Sequence, residues 1–164
     1  SESLIAASSY LEYFHDLVTG RPPEIDLYDE KYCQNFLRDS ILKNYIASSH
    51  DVSDGGLALA LAECCILSSK GANIQLEEKN ARKDNLLFSE GGSRIIFSLK
   101  QKEESNFMNF VKTKSKDFGK DIYVKKIGSV SKENLNISIQ GNELCNLRVD
   151  QLTKKFNNSI SSCF

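Results

Sequence analysis

Two short segments of this chain combine residue types that are suited to binding an anion. In the first, the polar run 50–54 (HDVSD) ends in Gly55 and Gly56 and leads straight into the alanine- and leucine-rich stretch 57–63. A glycine loop that opens a helix points backbone N–H groups and the positive end of the helix dipole at a ligand. The alternative is a purely structural helix start, in which Asp54 caps the helix and the glycines allow a tight entry.

The second segment is the turn 89–94 (SEGGSR), which separates an apolar stretch, 86–88, from an alternating strand pattern, 95–99. It offers a carboxylate, two hydroxyls, exposed backbone and a guanidinium within six residues. Because arginine binds oxyanions as a fork and glycines expose backbone amides, this turn suits a phosphate or ribose hydroxyls. The alternative is an internal ion pair between Glu90 and Arg94.

Together, HDVSDGGL (50–57) and FSEGGSR (88–94) resemble the C-terminal domain of the formylglycinamidine ribonucleotide synthase family. That family is the large synthetase subunit of the fourth step of purine biosynthesis. Residues 9–11 and 19–27 are similar to the start of the same domain, and the resemblance extends over about residues 5 to 130. It implies the C-terminal fold of the aminoimidazole ribonucleotide synthetase superfamily, a sheet with helices packed on it.

The resemblance implies an ATP-dependent amidotransferase, a carbon–nitrogen ligase with glutamine as the amido donor. The complete enzyme activates the amide oxygen of formylglycinamide ribonucleotide, and ammonia from glutamine displaces the phosphate. The products are formylglycinamidine ribonucleotide, ADP, phosphate and glutamate. In this family ATP and Mg²⁺ are held largely by N-terminal-type domains. The chain has no Walker A motif and no acidic cluster for Mg-ATP, so we expect no cofactor, metal ligand, catalytic residue or activity in this fragment alone.

The resemblance also assigns the two loops to one half of an internally duplicated enzyme. In the first-half copy, a stretch like 89–91 touches the ribonucleotide, whereas in this second half it faces a pseudo-symmetric site that holds a structural nucleotide in some members. We expect the two loops to converge on one anion or nucleotide. The candidate contacts are His50, Asp51, Ser53, Gly55, Gly56, Ser89, Glu90, Gly91, Ser93 and Arg94. The alternatives are direct catalysis and purely structural loops, and for His50 a general base or a loop-orienting hydrogen bond.

Composition narrows the class of protein. The chain has 164 residues, 40% hydrophobic and 26% charged, with a net charge of −1, which predicts a cytoplasmic globular protein without affinity for nucleic acid or membrane. There is no apolar run of the ~20 residues that span a membrane and no signal peptide. The chain begins with Ser1 rather than Met, which predicts a processed or excised piece. The five cysteines include no CxxC pair, which argues against a disulfide framework and a zinc site.

Periodicity predicts an α+β fold, with one mixed sheet packed by helices in a single domain over 1–164 and frayed segments at 1–7 and 157–164. Helices are predicted at 8–19, 28–45, 55–69, 102–115 and 149–160, strands at 72–76, 94–99, 121–130 and 134–139, and a strand or turn at 46–51. The helix 55–69 is apolar nearly all round, so we expect it to be buried on all sides and to end at Gly71.

The resemblance implies three partners, which are the N-terminal-type domains of the same enzyme, a glutaminase subunit and a small accessory subunit. A second class of function is a non-catalytic assembly or binding module, which docks on partner domains or forms a homodimer through its sheet. Such a module predicts a large exposed apolar patch. A third is another synthetase of the superfamily, for selenophosphate, thiamine phosphate or hydrogenase maturation, although those are not expected to carry both motifs. A hydrolase is disfavoured because no nucleophile elbow is present.

Overall fold

The computed structural model describes residues 5–77 and 82–159. Its backbone divides into two compact units: unit 1 comprises Ser1–Pro23, Ser53–Glu90 and Ile127–Phe164, and unit 2 comprises Glu24–Val52 and Gly91–Lys126. One domain over 1–164 stays a prediction, since two compact units can belong to one domain. Of the segments expected to fray, residues 1–4 and 160–164 lie outside the described residues. Ile5 is buried.

The described elements are, in chain order, α1 (Ser9–His15), α2 (Leu27–Leu42), β1 (Ile46–Asp51), α3 (Gly56–Ser68), β2 (Gly71–Leu76), α4 (Lys83–Phe88), β3 (Ile95–Leu99), α5 (Glu104–Phe118), β4 (Gly128–Ser131), β5 (Asn134–Ile139), β6 (Asn142–Arg148) and α6 (Val149–Asn158). A single 3-10 turn, Gln101–Glu103, precedes α5. None of the helices described is long and apolar enough to cross a bilayer.

Unit 1 is built on a four-stranded mixed sheet in the order β4-β2-β5-β6, in which β2 and β5 run parallel and the other neighbours antiparallel. Its central strand β5 alternates polar and apolar residues, and Leu135, Ile137 and Ile139 are all buried. Because side chains alternate across a strand, this period of two places the apolar face of β5 in the core. The predicted mixed sheet with packed helices is therefore confirmed.

Helix α3 differs from its prediction in its burial and in the position of its C-terminal end. Only Gly56, Ala60, Leu61 and Cys65 are buried, whereas Leu67 is 76% exposed, so the prediction of burial on all sides is wrong. One face packs and the other is open, although both faces are apolar in sequence. The helix also ends before Gly71, because Ser69 is the left-handed C-cap with φ +53°.

Unit 2 contains α2, α5 and a separate antiparallel pair, β1 and β3. Phe36 of α2 packs with Phe107, Phe110 and Val111 of α5 in its core. The prediction of one sheet is wrong, because β1 and β3 pair only with each other among the described strands.

Two further corrections concern element boundaries. The strand predicted over 121–130 is confined to Gly128–Ser131, and the residues before it are irregular. The helix predicted over 8–19 ends at His15, where Asp16 takes up a left-handed conformation with φ +53°. Helix α4 and strand β6 were not predicted, because the first is short and the second is largely polar.

Candidate functional site

In unit 1 the glycine loop and the segment before Glu90 lie in direct contact. Gly55 is the N-cap residue of α3 with φ +75°, and Gly56 follows with φ +65°. A Cβ atom on Gly56 would lie 2.7 Å from the carbonyl carbon of Phe88 and from the carbonyl oxygen of Ser89. Gly56 therefore allows the backbone of the second motif to approach α3, whereas a Cβ atom on Gly55 would lie 2.6 Å from the side chain of Leu59.

The predicted cap of α3 is wrong. Within the part of the chain that the structure describes, no side chain caps the first turn of α3, and Asp54 is exposed. The loop is closed instead by a backbone hydrogen bond, in which the amide of Gly56 donates to the carbonyl of Ser53 at 3.0 Å. A left-handed glycine at the N-cap has no side chain that could accept from the first-turn amides.

The carboxylate of Glu90 binds the N-cap residue of α3 itself. Its Oε1 atom accepts from the amide of Gly55 at 2.7 Å and from the amide of Ser9 at 2.9 Å. A carboxylate at this position is also favoured by the positive end of the α3 dipole. Tyr10 stacks on Phe88 with ring centroids 4.5 Å apart, which holds the same segments together through apolar contact. The three family-like segments of unit 1 thus meet at one carboxylate.

The other predicted residues of unit 1 differ in accessibility. Ser89 is 2% exposed, whereas Ser53 is exposed. Ser9 was not among the predicted site residues, although it lies in a segment that resembles the family. Its contribution comes from its backbone amide, which a side-chain pattern does not reveal.

In unit 2 the turn 91–94 is held by α2. Glu30 Oε2 accepts from the amide of Ser93 at 3.0 Å and from its hydroxyl at 2.8 Å. The Cys33 thiol donates to the carbonyl of Ser93 at 3.7 Å. Hydrogen bonds from Gln34 and Ser93 hold the pKa of Glu30 below its usual range, while burial raises the pKa of the Cys33 thiol. Sequence reasoning missed both α2 residues, since they occur in an ordinary amphipathic helix.

Arg94 ends this turn and begins the β1–β3 pairing. Its carbonyl accepts from the amide of Val52 at 3.0 Å, and its Nε donates to the carbonyl of Gly91 at 3.4 Å. Burial lowers the pKa of the Arg94 guanidinium. Arginine nevertheless remains a cation in proteins, so this half-buried side chain brings a positive charge to the turn.

His50 and Asp51 lie at the end of β1, opposite Ile96 and Ile95 of β3. The Nδ1 atom of His50 lies 2.7 Å from the backbone carbonyl of Asp51 and 3.6 Å from the Oδ1 atom of Asp51. In the tautomer with a proton on Nδ1, the ring donates to this carbonyl and orients the strand end. The side chain of Asp51 is 77% exposed. Over residues 5–77 and 82–159, no three His, Cys, Asp or Glu side chains form a group that could hold a metal ion.

Comparison with known proteins identifies close relatives. The chain is 79% identical over all 164 residues to the phosphoribosylformylglycinamidine synthase subunit PurL of Prochlorococcus marinus subsp. pastoris (strain CCMP1986 / NIES-2087 / MED4). It is 74% identical over the same length to the subunit of that name from Prochlorococcus marinus strain MIT 9515. The match covers 100% of this chain and 21% of each relative, so the chain spans about a fifth of the length of these curated relatives.

Solved structures share the fold. PurLQS from Thermotoga maritima matches with a TM-score of 0.70 and 14% identity over 90% of this chain and 24% of that one. Thermotoga maritima PurL complexed with ATP matches with a TM-score of 0.68 and 14% identity over 90% of this chain and 23% of that one. The family model for the AIR synthase related protein, C-terminal domain, matches residues 2–138. Since that match spans most of the chain, the protein belongs to the family of AIR synthase related C-terminal domains.

Proposed function

We propose that this chain is the C-terminal part of a formylglycinamidine ribonucleotide synthase of the PurL type. The observation that carries the proposal is the 79% identity to a PurL subunit over every residue of the chain. The shared stretch includes both loops whose residue types suit an anion, 50–56 and 89–94.

The proposed reaction of the complete enzyme consumes ATP, formylglycinamide ribonucleotide and an amido nitrogen. ATP phosphorylates the amide oxygen, ammonia from glutamine attacks the amide carbon, and phosphate leaves with the former amide oxygen. ATP and Mg²⁺ are proposed for the complete enzyme, with neither held by this chain alone. In support, Thermotoga maritima PurL structures of this fold are described as complexes with ATP, ADP and FGAR.

The sequence-predicted residues remain proposed contacts of a substrate or an auxiliary nucleotide. Within unit 2, the turn 91–94 brings a guanidinium beside two glycines, and no hydrogen bond from the Gly91 or Gly92 amide occurs within residues 5–77 and 82–159. Amides and a guanidinium are the donors that phosphate oxygens prefer. We propose Arg94 as the main contact of this turn.

The proposed partners are the N-terminal-type domains of the same enzyme, a glutaminase subunit and a small accessory subunit, and the proposed location is the cytoplasm. The name of the Thermotoga maritima PurLQS structure supports an assembly of this kind. The isolated chain is proposed to be inactive, because the groups that hold ATP belong to the domains outside it.

The test is a chimaera in which this chain replaces the matched segment of the PurL subunit from strain CCMP1986 / NIES-2087 / MED4. With an ammonium salt as nitrogen donor, we expect formation of formylglycinamidine ribonucleotide that depends on ATP and on formylglycinamide ribonucleotide. The isolated chain serves as the inactive control. A folded chimaera without activity, beside an active parent, overturns the proposal.

A non-catalytic assembly module is the second candidate, and the exposed apolar residues of and beside α1 favour it. Tyr13 is 84% exposed, Phe14 75% and Val18 85%. Arg94→Ala in the chimaera separates the two candidates. A ligand-contacting turn predicts a raised KM for the ribonucleotide or for ATP, whereas a pure assembly module predicts unchanged kinetic constants in any chimaera that assembles.

A further inference from the structure

The backbone of Ser93 adopts a conformation that its own side chain does not favour. It is a residue with a Cβ atom at φ +58°, in the left-handed region, between Gly92 and Arg94. Such a conformation persists where surrounding contacts determine it. The contacts here come from one helix, α2.

Three polar groups of Ser93 are held by that helix. Its amide and hydroxyl both donate to Glu30 Oε2, at 3.0 and 2.8 Å, and its carbonyl accepts from the Cys33 thiol at 3.7 Å. Glu30 and Cys33 are three residues apart, so they lie on the same face of α2. The other carboxylate oxygen of Glu30, Oε1, accepts from Gln34 at 2.8 Å, which fixes the carboxylate itself.

These bonds decide which groups of the turn can meet a ligand. The hydroxyl proton and the amide of Ser93 are already given to Glu30, and a carboxylate at this distance repels a second anion. A ligand anion is therefore directed to the amides of Gly91 and Gly92 and to the guanidinium of Arg94.

We propose that Glu30 is a positioning residue, which holds the turn 91–94 in the conformation that presents Arg94 and the two glycine amides to a phosphate-bearing ligand. The inference rests on the proposed function for the identity of that ligand. The hydrogen bonds of Glu30 and Cys33 to Ser93, which we call the clamp, all lie within unit 2.

The test uses the chimaera described above with three single variants. Glu30→Ala removes both acceptor atoms, and we expect the KM for formylglycinamide ribonucleotide or for ATP to rise about tenfold with kcat within about twofold, the size expected for losing hydrogen bonds to a charged group. Glu30→Gln keeps an oxygen that can accept from Ser93, so it should recover most of the KM. Asn35→Ala, the control on the same helix, removes an acceptor of Arg38 and no hydrogen-bond partner of Glu30 or Ser93, so it should leave both KM values within about twofold of the parent value.

Amide hydrogen exchange of the peptide that contains Ser93 is the second readout in the same protein. We expect Glu30→Ala to speed exchange there and Asn35→Ala to leave it unchanged. Unchanged exchange in Glu30→Ala overturns the clamp whether or not the chimaera is active. Faster exchange with unchanged KM values in an active chimaera overturns the positioning role. Failure of the parent chimaera to turn over contradicts the proposed function, and hydrogen exchange then still decides the clamp.

Discussion

Each unit of this protein contains one carboxylate that accepts from the backbone of a loop whose residue types suggest an anion site. In unit 1, Glu90 accepts from the amides of Gly55 and Ser9 in partly buried surroundings. In unit 2, Glu30 accepts from the amide and hydroxyl of Ser93 in exposed surroundings. The two carboxylates have similar chemistry, but the residues that donate to them differ in exposure, since Gly55 and Ser9 are partly buried and Ser93 is exposed.

The difference teaches how to interpret a glycine-rich loop. Partly buried amides are poorly reached by water and need an acceptor within the chain, and Glu90 accepts from two of them, those of Gly55 and Ser9. The turn at Ser93 lies open to water, so its bonds to Glu30 are not required to satisfy buried groups. We therefore interpret the hydrogen bonds of Glu90 as bonds that stabilise the fold. We interpret those of Glu30 as bonds that select the conformation of the turn 91–94. The following predictions test that distinction.

The largest effect is expected where the two motifs of unit 1 touch. Gly56→Ala places a Cβ atom 2.7 Å from backbone atoms of Phe88 and Ser89, at a φ of +65°. We expect a loss of at least about 3 kcal/mol of unfolding free energy, from the left-handed conformation and from the displaced backbone. Urea unfolding of the purified chain measures it.

Gly141→Ala is the matched control in the same unit. Gly141 has φ +77°, but a Cβ atom there would meet nothing within 4 Å. We expect only the conformational cost, about 1 kcal/mol. If both variants lose the same unfolding free energy, the contact between Gly56 and the backbone of Phe88 and Ser89 adds no steric cost.

The second effect compares the carboxylates directly. Glu90→Ala leaves two partly buried amides without an acceptor, and we expect a loss of about 2–3 kcal/mol in unfolding free energy. Glu30→Ala exposes the Ser93 groups to water, and we expect a loss of about 1 kcal/mol or less. Thermal and urea unfolding measure both. If Glu30→Ala costs as much as Glu90→Ala, the distinction between the two carboxylates fails.

Much of unit 1 could be predicted from the sequence, for identifiable reasons. Strand β5 alternates apolar and polar residues, and that period appears directly in the burial of Leu135, Ile137 and Ile139. The glycine pair at 55 and 56 predicted a tight entry into α3, and both residues adopt left-handed backbone conformations there. Strand β6 was missed because it is mostly polar and lies at an edge of its sheet.

The candidate site was predictable only in part. Glu90 belongs to a sequence motif and was therefore among the predicted site residues. Its partners are the backbone amides of Ser9 and Gly55, which cannot be predicted from residue types. Glu30 and Cys33 lie some sixty positions from Ser93, with no motif of their own. Contacts of this kind depend on how α2 packs, and single-sequence periodicity predicts a helix without predicting which loop it meets.

The third prediction compares the N-terminal caps of α2 and α3. The Asp26 carboxylate caps α2 by accepting from the amides of Tyr28 and Asp29, at 2.8 and 3.1 Å. We expect Asp26→Ala to lower the unfolding free energy measurably, because it removes the side-chain N-cap of α2. Asp54→Ala, at the start of α3, should change it by less than about 0.5 kcal/mol, because no side chain caps that helix. A larger loss of unfolding free energy for Asp54→Ala would instead support Asp54 as the N-cap that the sequence predicts.

The smallest effect is a pH dependence confined to Glu30. Hydrogen bonds from Gln34 and then Ser93 lower its pKa from 4.5, the value expected for the unfolded chain. A carboxylate with a lowered folded pKa contributes stability that is present above the unfolded pKa and is lost as pH falls through the folded pKa. We therefore expect the difference in unfolding free energy between the parent chain and Glu30→Gln to shrink below pH 4.5.

NMR titration of the Glu30 side chain measures the same shift without unfolding the protein. Because the bond from Gln34 is the largest cause of the lowered pKa, Gln34→Ala should move the Glu30 pKa back toward its usual value. Ser93→Ala should move it in the same direction through the lost hydroxyl, while the Ser93 amide still donates. A Glu30 pKa that neither substitution moves would show that the carboxylate faces water rather than α2 and the turn. Only the hydrogen bonds of Glu90 in unit 1 would then remain as evidence for the difference between the two carboxylates.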